Sequence, residues 1–184
     1  MKEISLNILD IAENSVRANA TLTTIEIIET ASELSLKIID DGCGMEKEVV
    51  EGVINPFYTT RTTRSVGLGI PLIKLAAEQT GGSFSISSNH IADHPENHGT
   101  VVHVNFIKTH IDYTPLGDTV STVTTLIQGH PDTDFLFRHS FSGKSVLLDT
   151  RELRRELGDV PLNTYEVIKW VEEYLVEQYS NLYS

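Results

Sequence analysis

The chain holds one cysteine, Cys43, in 184 residues, which excludes an intramolecular disulfide and a cysteine-cluster metal site and fits a reducing compartment. It lacks any run near the roughly 18 apolar residues that a membrane span requires. Its first residues, MKEISLNILDIAENS, interrupt their apolar stretch with Glu3, Asp10 and Glu13, unlike the uninterrupted apolar core of a secretory signal. The expected setting is therefore the cytoplasm, with no membrane partner. Basic residues are scarce and scattered: 14 Lys and Arg stand against 26 Asp and Glu, giving a net charge of −12. That field repels nucleic-acid backbones, so no nucleic-acid partner is expected. Arg61 and Arg64 come closest to a basic cluster in the first half, and they suit one phosphate chain better than a duplex. There is no internal repeat and no low-complexity tract.

What is present is a 40% hydrophobic composition, enough for a sizeable core. Residues 3 to 18 place Ile4, Ile8, Ile11 and Leu9, Ala12, Val16 at helical spacing, with Asn7, Asp10, Asn14 and Arg17 stacked on another line. Two strand-like runs follow, TTIEIIE and LSLKIID, then a short helix over Lys47 to Val53. A polar segment, NPFYTTRTTRSVGLGIP, leads into a helix over Ile70 to Gln79 that Gly81 and Gly82 end. SFSIS and GTVVHVNF read as two more strands, joined by NHIADHPENH. From about Thr109 the pattern becomes a helix over Asp118 to Ile127, a hairpin of FLFRHS and KSVLLD turning at Phe141-Ser142-Gly143, and two helices, one capped by Asp149 or Thr150, the other started by Thr164. The division expected is an N-terminal unit, 1 to 108, and a C-terminal α/β appendage, 109 to 184, that either extends the sheet or docks a partner.

The stretch IIDDGCGMEKE ends a strand in two carboxylates. Side chains alternate along a strand, so Asp40 shares the face of Leu34, Leu36 and Ile38, while Asp41 sides with Ser35 and Lys37. A carboxylate aimed at an apolar layer costs several kcal/mol unless donors meet it, and a purine's exocyclic amine is a suitable donor. Gly42 and Gly44 would let the backbone approach a flat ring. Alone, the same letters also describe an ordinary turn after a strand.

Asn14 on the first helix, Asp40-Asp41-Gly42-Cys43-Gly44 after a strand, Gly67-Leu68-Gly69-Ile70 opening a helix and Gly99-Thr100 beginning a late strand occur in that order. Together they resemble the ATP-binding domain of the GHKL superfamily, which includes gyrase-type topoisomerases, ninety-kilodalton heat-shock chaperones, histidine kinases and mismatch-repair ATPases. The resemblance covers roughly residues 3 to 107. It implies an α/β sandwich of one mixed sheet covered on one face by helices, binding ATP with Mg2+. It further implies Asn14 as magnesium ligand, Asp40 as acceptor of the adenine amine, Thr100 as its support through water, and free N–H groups around Gly67 to Ile70 as a phosphate site. NPFYTTRTTRSV resembles the ATP lid of the kinases, which would bring Thr59, Thr60, Arg61 and Arg64 to phosphate oxygens.

The pattern departs in three places. Asp10 stands where efficient hydrolases of the superfamily carry glutamate, one methylene longer, so Asp10 is either the base or a solvated helix carboxylate. Glu13 points about 100 degrees away from Asn14 and cannot simply replace it. Arg17 occupies the place of the kinases' phosphate-binding lysine. ENSVRANAT also echoes the mismatch-repair helix, but the charge is wrong for DNA, and the kinase branch fits better. No phosphoacceptor histidine region precedes the first helix, so an acceptor would come from another protein, as for stand-alone serine kinases of the anti-sigma-factor type. His90, His94 and His98, with Asp93 and Glu96, read as a solvated hairpin loop rather than a metal site. Cys43 reads as a packing residue. The function expected is a regulatory protein kinase acting in trans on serine or histidine. The alternatives are an ATP-operated clamp that hydrolyses slowly and forms a homodimer, and a nucleotide-sensing adaptor without chemistry.

Overall fold

The computed structural model describes residues 3–54 and 69–184. Six helices and six strands are described: α1 (Ile4–Arg17), β1 (Leu22–Glu29), β2 (Glu33–Asp40), α2 (Lys47–Ile54), α3 (Gly69–Gln79), β3 (Ser83–Asn89), β4 (Gly99–Ile107), α4 (Thr119–Gly129), β5 (Asp134–Phe141), β6 (Lys144–Asp149), α5 (Thr150–Leu157) and α6 (Tyr165–Leu182). The strands form one mixed sheet in the order β3-β4-β2-β1-β5-β6, antiparallel except for the parallel pair of β1 with β5. Residues 109 to 184 therefore continue the same sheet rather than standing beside it.

Alternation along the strands decides which face is covered. Ile25 and Ile27, Leu34, Leu36 and Ile38, Val102, Val104 and Phe106, and Phe135 and Phe137 all point inward and are buried. Their cover is helical: α1 packs on β1 and β2, α3 on β3 and β4, α4 on β5, and α6 on α4 and β6. The outward positions of the inner strands carry Glu26, Lys37, Arg138, Ser35 and His103, a polar face bridged in part by Ser35 Oγ and His103 Nε2 at 3.0 Å. Burying each inward Phe withholds roughly 150 to 250 Å² from water, so the sheet and its helices hold together chiefly through this one apolar layer.

The connection between the halves also finishes α1. Glu3 makes no side-chain cap there; instead Ile4 and Ser5 donate their N–H groups to the carbonyls of Pro115 and Leu116, at 3.0 and 2.7 Å. Two of the helix's orphan donors are satisfied by residues more than a hundred positions away.

At the seam of β1 and β5 a polar chain runs through the apolar layer. Thr119 donates to the Tyr179 hydroxyl, which faces His139 Nδ1 at 2.9 Å, and His139 Nε2 faces Glu29 Oε2 at 3.1 Å. Tyr183 and Lys108 donate to the same Glu29 carboxylate. With the Tyr179 hydrogen directed to Nδ1, the consistent tautomer of His139 is the neutral one protonated on Nε2. His139 is 0% exposed, and burial holds its pKa below the usual 6.5 against the pull of Glu29. Burial pushes Glu29 upward, but bonds from Lys108 and Tyr183 and the charge of Lys108 outweigh it, so its pKa lies below 4.5.

Both shifts carry the same sign. An imidazole with a depressed folded-state pKa gives stability that is complete above about 6.5 and is lost as pH falls; a depressed carboxylate behaves likewise below 4.5. Denaturant midpoints are expected to fall between pH 7.5 and pH 5.5. His139→Gln, which keeps a donor for Glu29 but does not titrate, is expected to flatten that fall; an equal slope in the variant would remove His139 from the account.

Candidate functional site

The end of β2 brings together the residues that carry chemistry. Asp40 pairs across the sheet with Thr23 and Thr100, and its carboxylate lies against the inner face. Three donors meet it: Ser15 Oγ on Oδ2 at 2.7 Å, and the N–H groups of Gly42 and Thr100 on Oδ1 at 3.0 and 3.2 Å. Burial raises its pKa above 3.8 in spite of these bonds. A carboxylate offers about four lone-pair positions, so one acceptor position is left over. Asp41 faces the other way and is exposed. It accepts from the N–H and hydroxyl of Thr21 and from the N–H of Leu22, which fastens the end of β2 to the beginning of β1.

The glycines answer to the chain itself. A Cβ on Gly42 would sit 2.9 Å from Ala18 Cβ, and one on Gly44 would overlap the backbone of Asn89, where φ is also +68°. Glycine is thus required at both positions by neighbouring protein atoms, independently of any ring. Thr100 likewise supports Asp40 directly through its N–H, while its hydroxyl pairs with Ser88 Oγ at 2.8 Å. Ser88 also accepts from the N–H of Met45 and faces the Gly99 carbonyl. His98 Nδ1 holds the Gly42 carbonyl at 2.6 Å, and Cys43 is tied by its backbone to Ala18 and Ile91.

The stripe of α1 faces the beginning of α3. Asn7 is 4% exposed and donates to the Gly69 carbonyl at 3.3 Å, and a Cβ on Gly69 would come within 2.8 Å of Asp10 Cβ. Asp10 is exposed and thus stands beside a helix N-terminus, where free N–H groups favour anions. Ile70 is buried in the apolar layer. Farther along, Asn14 Oδ1 accepts from Arg17 Nη1 at 3.3 Å, and Asn14 Nδ2 is buried with no partner among the described residues. Glu13 is engaged with His130 Nε2 at 2.8 Å, away from this line. Thr59, Thr60, Arg61, Arg64, Gly67 and Leu68 lie outside the described residues.

The donor set can be weighed against a divalent cation. Among the described residues no three His, Cys, Asp or Glu side chains are placed to share a metal. Asn14 Oδ1, a hard oxygen on the α1 stripe, suits a Mg2+ that arrives with phosphates and keeps waters, the mode in which proteins supply only one or two ligands. The Asn14 amide, without a partner among the described residues, adds a donor that a phosphate oxygen would satisfy.

Sequence reading missed Ser15, Ser88 and His98. The first left a signal: Ser15 continues the apolar series Ile4, Ile8, Ile11 at helical spacing, and a hydroxyl in that series needs a buried partner. Ser88 follows Phe84 and Ile86 on their strand in the same way. His98 left none.

The two aspartates should respond oppositely to substitution. A raised folded-state pKa means that charged Asp40 costs folding free energy at neutral pH. In Asp40→Asn the amide oxygen still accepts from Gly42 and Thr100, and its NH2 can donate to Ser15, whose own hydrogen turns to the Ile11 carbonyl. The ligand-free variant is expected to melt no lower than the wild type by scanning calorimetry. Asp41→Ala removes three accepted bonds and is expected to cost about 1 to 2 kcal/mol, roughly 2 to 8 °C. The reverse order would contradict the assignment.

Residues 2–110 match the family described as histidine kinase-, DNA gyrase B- and HSP90-like ATPase. The chain is 31% identical over 101 residues to the sensor histidine kinase YvrG of Bacillus subtilis, covering 52% of this chain and 16% of that protein. It is 31% identical over 128 residues to the cell-division control histidine kinase PdhS of Brucella anthropi, covering 60% of this chain and 11% of that one. The chain thus spans less than a fifth of either kinase. Among solved structures, the Aquifex aeolicus MutL ATPase domain complexed with ADP superposes with a TM-score of 0.57 at 15% identity, covering 85% of this chain and 68% of that one. This likeness of fold runs past residue 110 into the added strands and helices. With the match extending over more than half of its length, the chain belongs to the histidine kinase-, DNA gyrase B- and HSP90-like ATPase family.

Proposed function

We propose that this chain binds ATP with Mg2+ and acts in the cytoplasm as a regulatory protein kinase, passing the γ-phosphoryl group to a serine or histidine of a partner protein. The observation that carries the reading is the Asp40 carboxylate, fixed by three donors with acceptor capacity to spare. That capacity is what an adenine amine needs. The relatives YvrG and PdhS are kinases by name, which favours phosphotransfer over the other chemistries of the family.

In this reading each group has one task. Asp40 selects the base, and Ser15, Gly42 and Thr100 hold it still. The N-terminus of α3, at Gly69 and Ile70, draws the phosphate chain toward the α1 stripe. Asn14 Oδ1 holds Mg2+, and Arg17, now bonded to that oxygen, moves to a phosphate. Mg2+ supplies charge neutralisation along the phosphates. Asp10 accepts the proton of an attacking serine hydroxyl or of water.

Substitutions on the stripe separate binding from chemistry. Asn14→Ala should weaken binding of Mg-ATP far more than binding of metal-free ATP, as read by calorimetry. Asp10→Asn should leave ATP affinity within about threefold while abolishing turnover, because the base meets only the attacking group. Labelled ATP incubated with the protein and a lysate of its source should mark one partner protein, and the mark should disappear with Asp10→Asn. Steady hydrolysis without any acceptor would favour the clamp, with its nucleotide-dependent homodimer. No turnover under any condition would leave the adaptor and end the kinase reading.

A further inference from the structure

We propose that the groove between β6, α5 and α6 docks a segment of a partner protein that presents an aliphatic or aromatic anchor flanked by lysine or arginine. The groove lies wholly beyond the residues that match the ATPase family, and the inference stands without the nucleotide reading.

The groove encloses about 440 Å³ over a floor of Leu148 and Leu153. Two large apolar residues of its lining are partly exposed: Leu147 is 40% and Trp170 50% exposed. Trp170 lies parallel to Tyr174, with ring centroids 5.2 Å apart and planes 9° apart. The Tyr174 hydroxyl in turn donates to the Leu147 carbonyl at 3.0 Å, so the aromatic wall is fixed to the edge strand before any partner arrives. A rigid, half-exposed Trp beside an apolar slot is the usual anchor of a protein contact, since such residues bury large area at small entropic cost.

The rim decides what the anchor is attached to. Asp149, Glu152 and Glu156 line the groove with one cation, Arg155, and Glu166, Glu173 and Glu177 fall on the Trp170 side of α6 at helical spacing. Arg151, Arg155 and Lys169 pair with Asp149, Glu152 and Glu173. Glu156, Glu166 and Glu177 have no cation within 4.0 Å among the described residues. A cationic flank gains from that field, whereas a second copy of this chain would bring the same carboxylates against themselves and a further charge of −12.

A library of random 12-residue peptides displayed on phage can be selected on the full chain and depleted on Trp170→Ala. The expected consensus has one large apolar residue next to Lys or Arg. Trp170 is the sole tryptophan, so its emission reports directly when the synthetic consensus peptide is added, and it should shift to the blue. Affinity should fall at least tenfold with Leu147→Ser and severalfold with the exposed double change Glu156→Lys and Glu177→Lys, and it should weaken with salt. An acidic or uncharged consensus, no enrichment over Trp170→Ala, or indifference to the charge reversal would overturn the proposal. So would sedimentation showing a wild-type dimer that Trp170→Ala dissociates, which would make the face a contact between copies.

Discussion

A carboxylate at the inner edge of an apolar layer must be met by donors, and much of the N-terminal half is arranged around that requirement at Asp40. Ser15 on α1, Gly42 in the following turn and Thr100 on β4 supply those donors, so the helix, the turn and the neighbouring strand are positioned by one side chain. The bonds lower the cost of the charge without removing it, since burial still raises the pKa. In the proposed reading, the donor that meets this remaining cost is the amine of adenine. The same logic runs outward. Gly42 must be glycine for the turn to reach Ala18, Gly99 must be glycine because a Cβ would overlap the backbone of Asp40, and Ser88 ties the far end of the turn to β4.

Residues 109 to 184 belong to this arrangement physically. β5 lies parallel along the whole of β1, and the segment before α4 supplies the carbonyls that finish the N-terminus of α1. The stripe of Asp10, Asn14 and Arg17 thus rides on a helix anchored at one end by the C-terminal half. The buried chain from Thr119 through Tyr179 and His139 to Glu29 adds a directional lock at the same seam, and hydrogen-bonded networks of this kind fix one arrangement among otherwise interchangeable apolar contacts. A partner seated near Trp170 would press on α6, which carries Tyr179 of that lock and is capped by Tyr183, a further donor to Glu29.

Local pattern made much of this legible. The alternation of LSLKIID separates Asp40 from Asp41, and the three-four spacing of α1 separates its apolar and polar lines; the structure has both. The hairpin of β5 and β6 and the Asp149 cap, whose carboxylate accepts from the N–H of Arg151, also follow from nearby letters. What stayed hidden is long in sequence and set by packing. Nothing local tells β5 to lie parallel to β1, or Glu29 to meet His139 across 110 positions. The protein neighbours of Gly42 and Gly44 stayed hidden for the same reason: a glycine announces a close approach but not what approaches. Ser15 shows the opposite case, where a polar residue on an apolar line gave the signal and only its partner was out of reach.

The central claim is that Asp40 reads the amine of adenine. It is tested most directly by comparing ATP with the triphosphate of purine riboside, which lacks that amine, on the wild type and on Asp40→Asn. The wild type should prefer ATP by about 1 to 3 kcal/mol, and the variant should bind the two nucleotides alike. Equal binding by the wild type, or a preference that survives Asp40→Asn, would contradict the account.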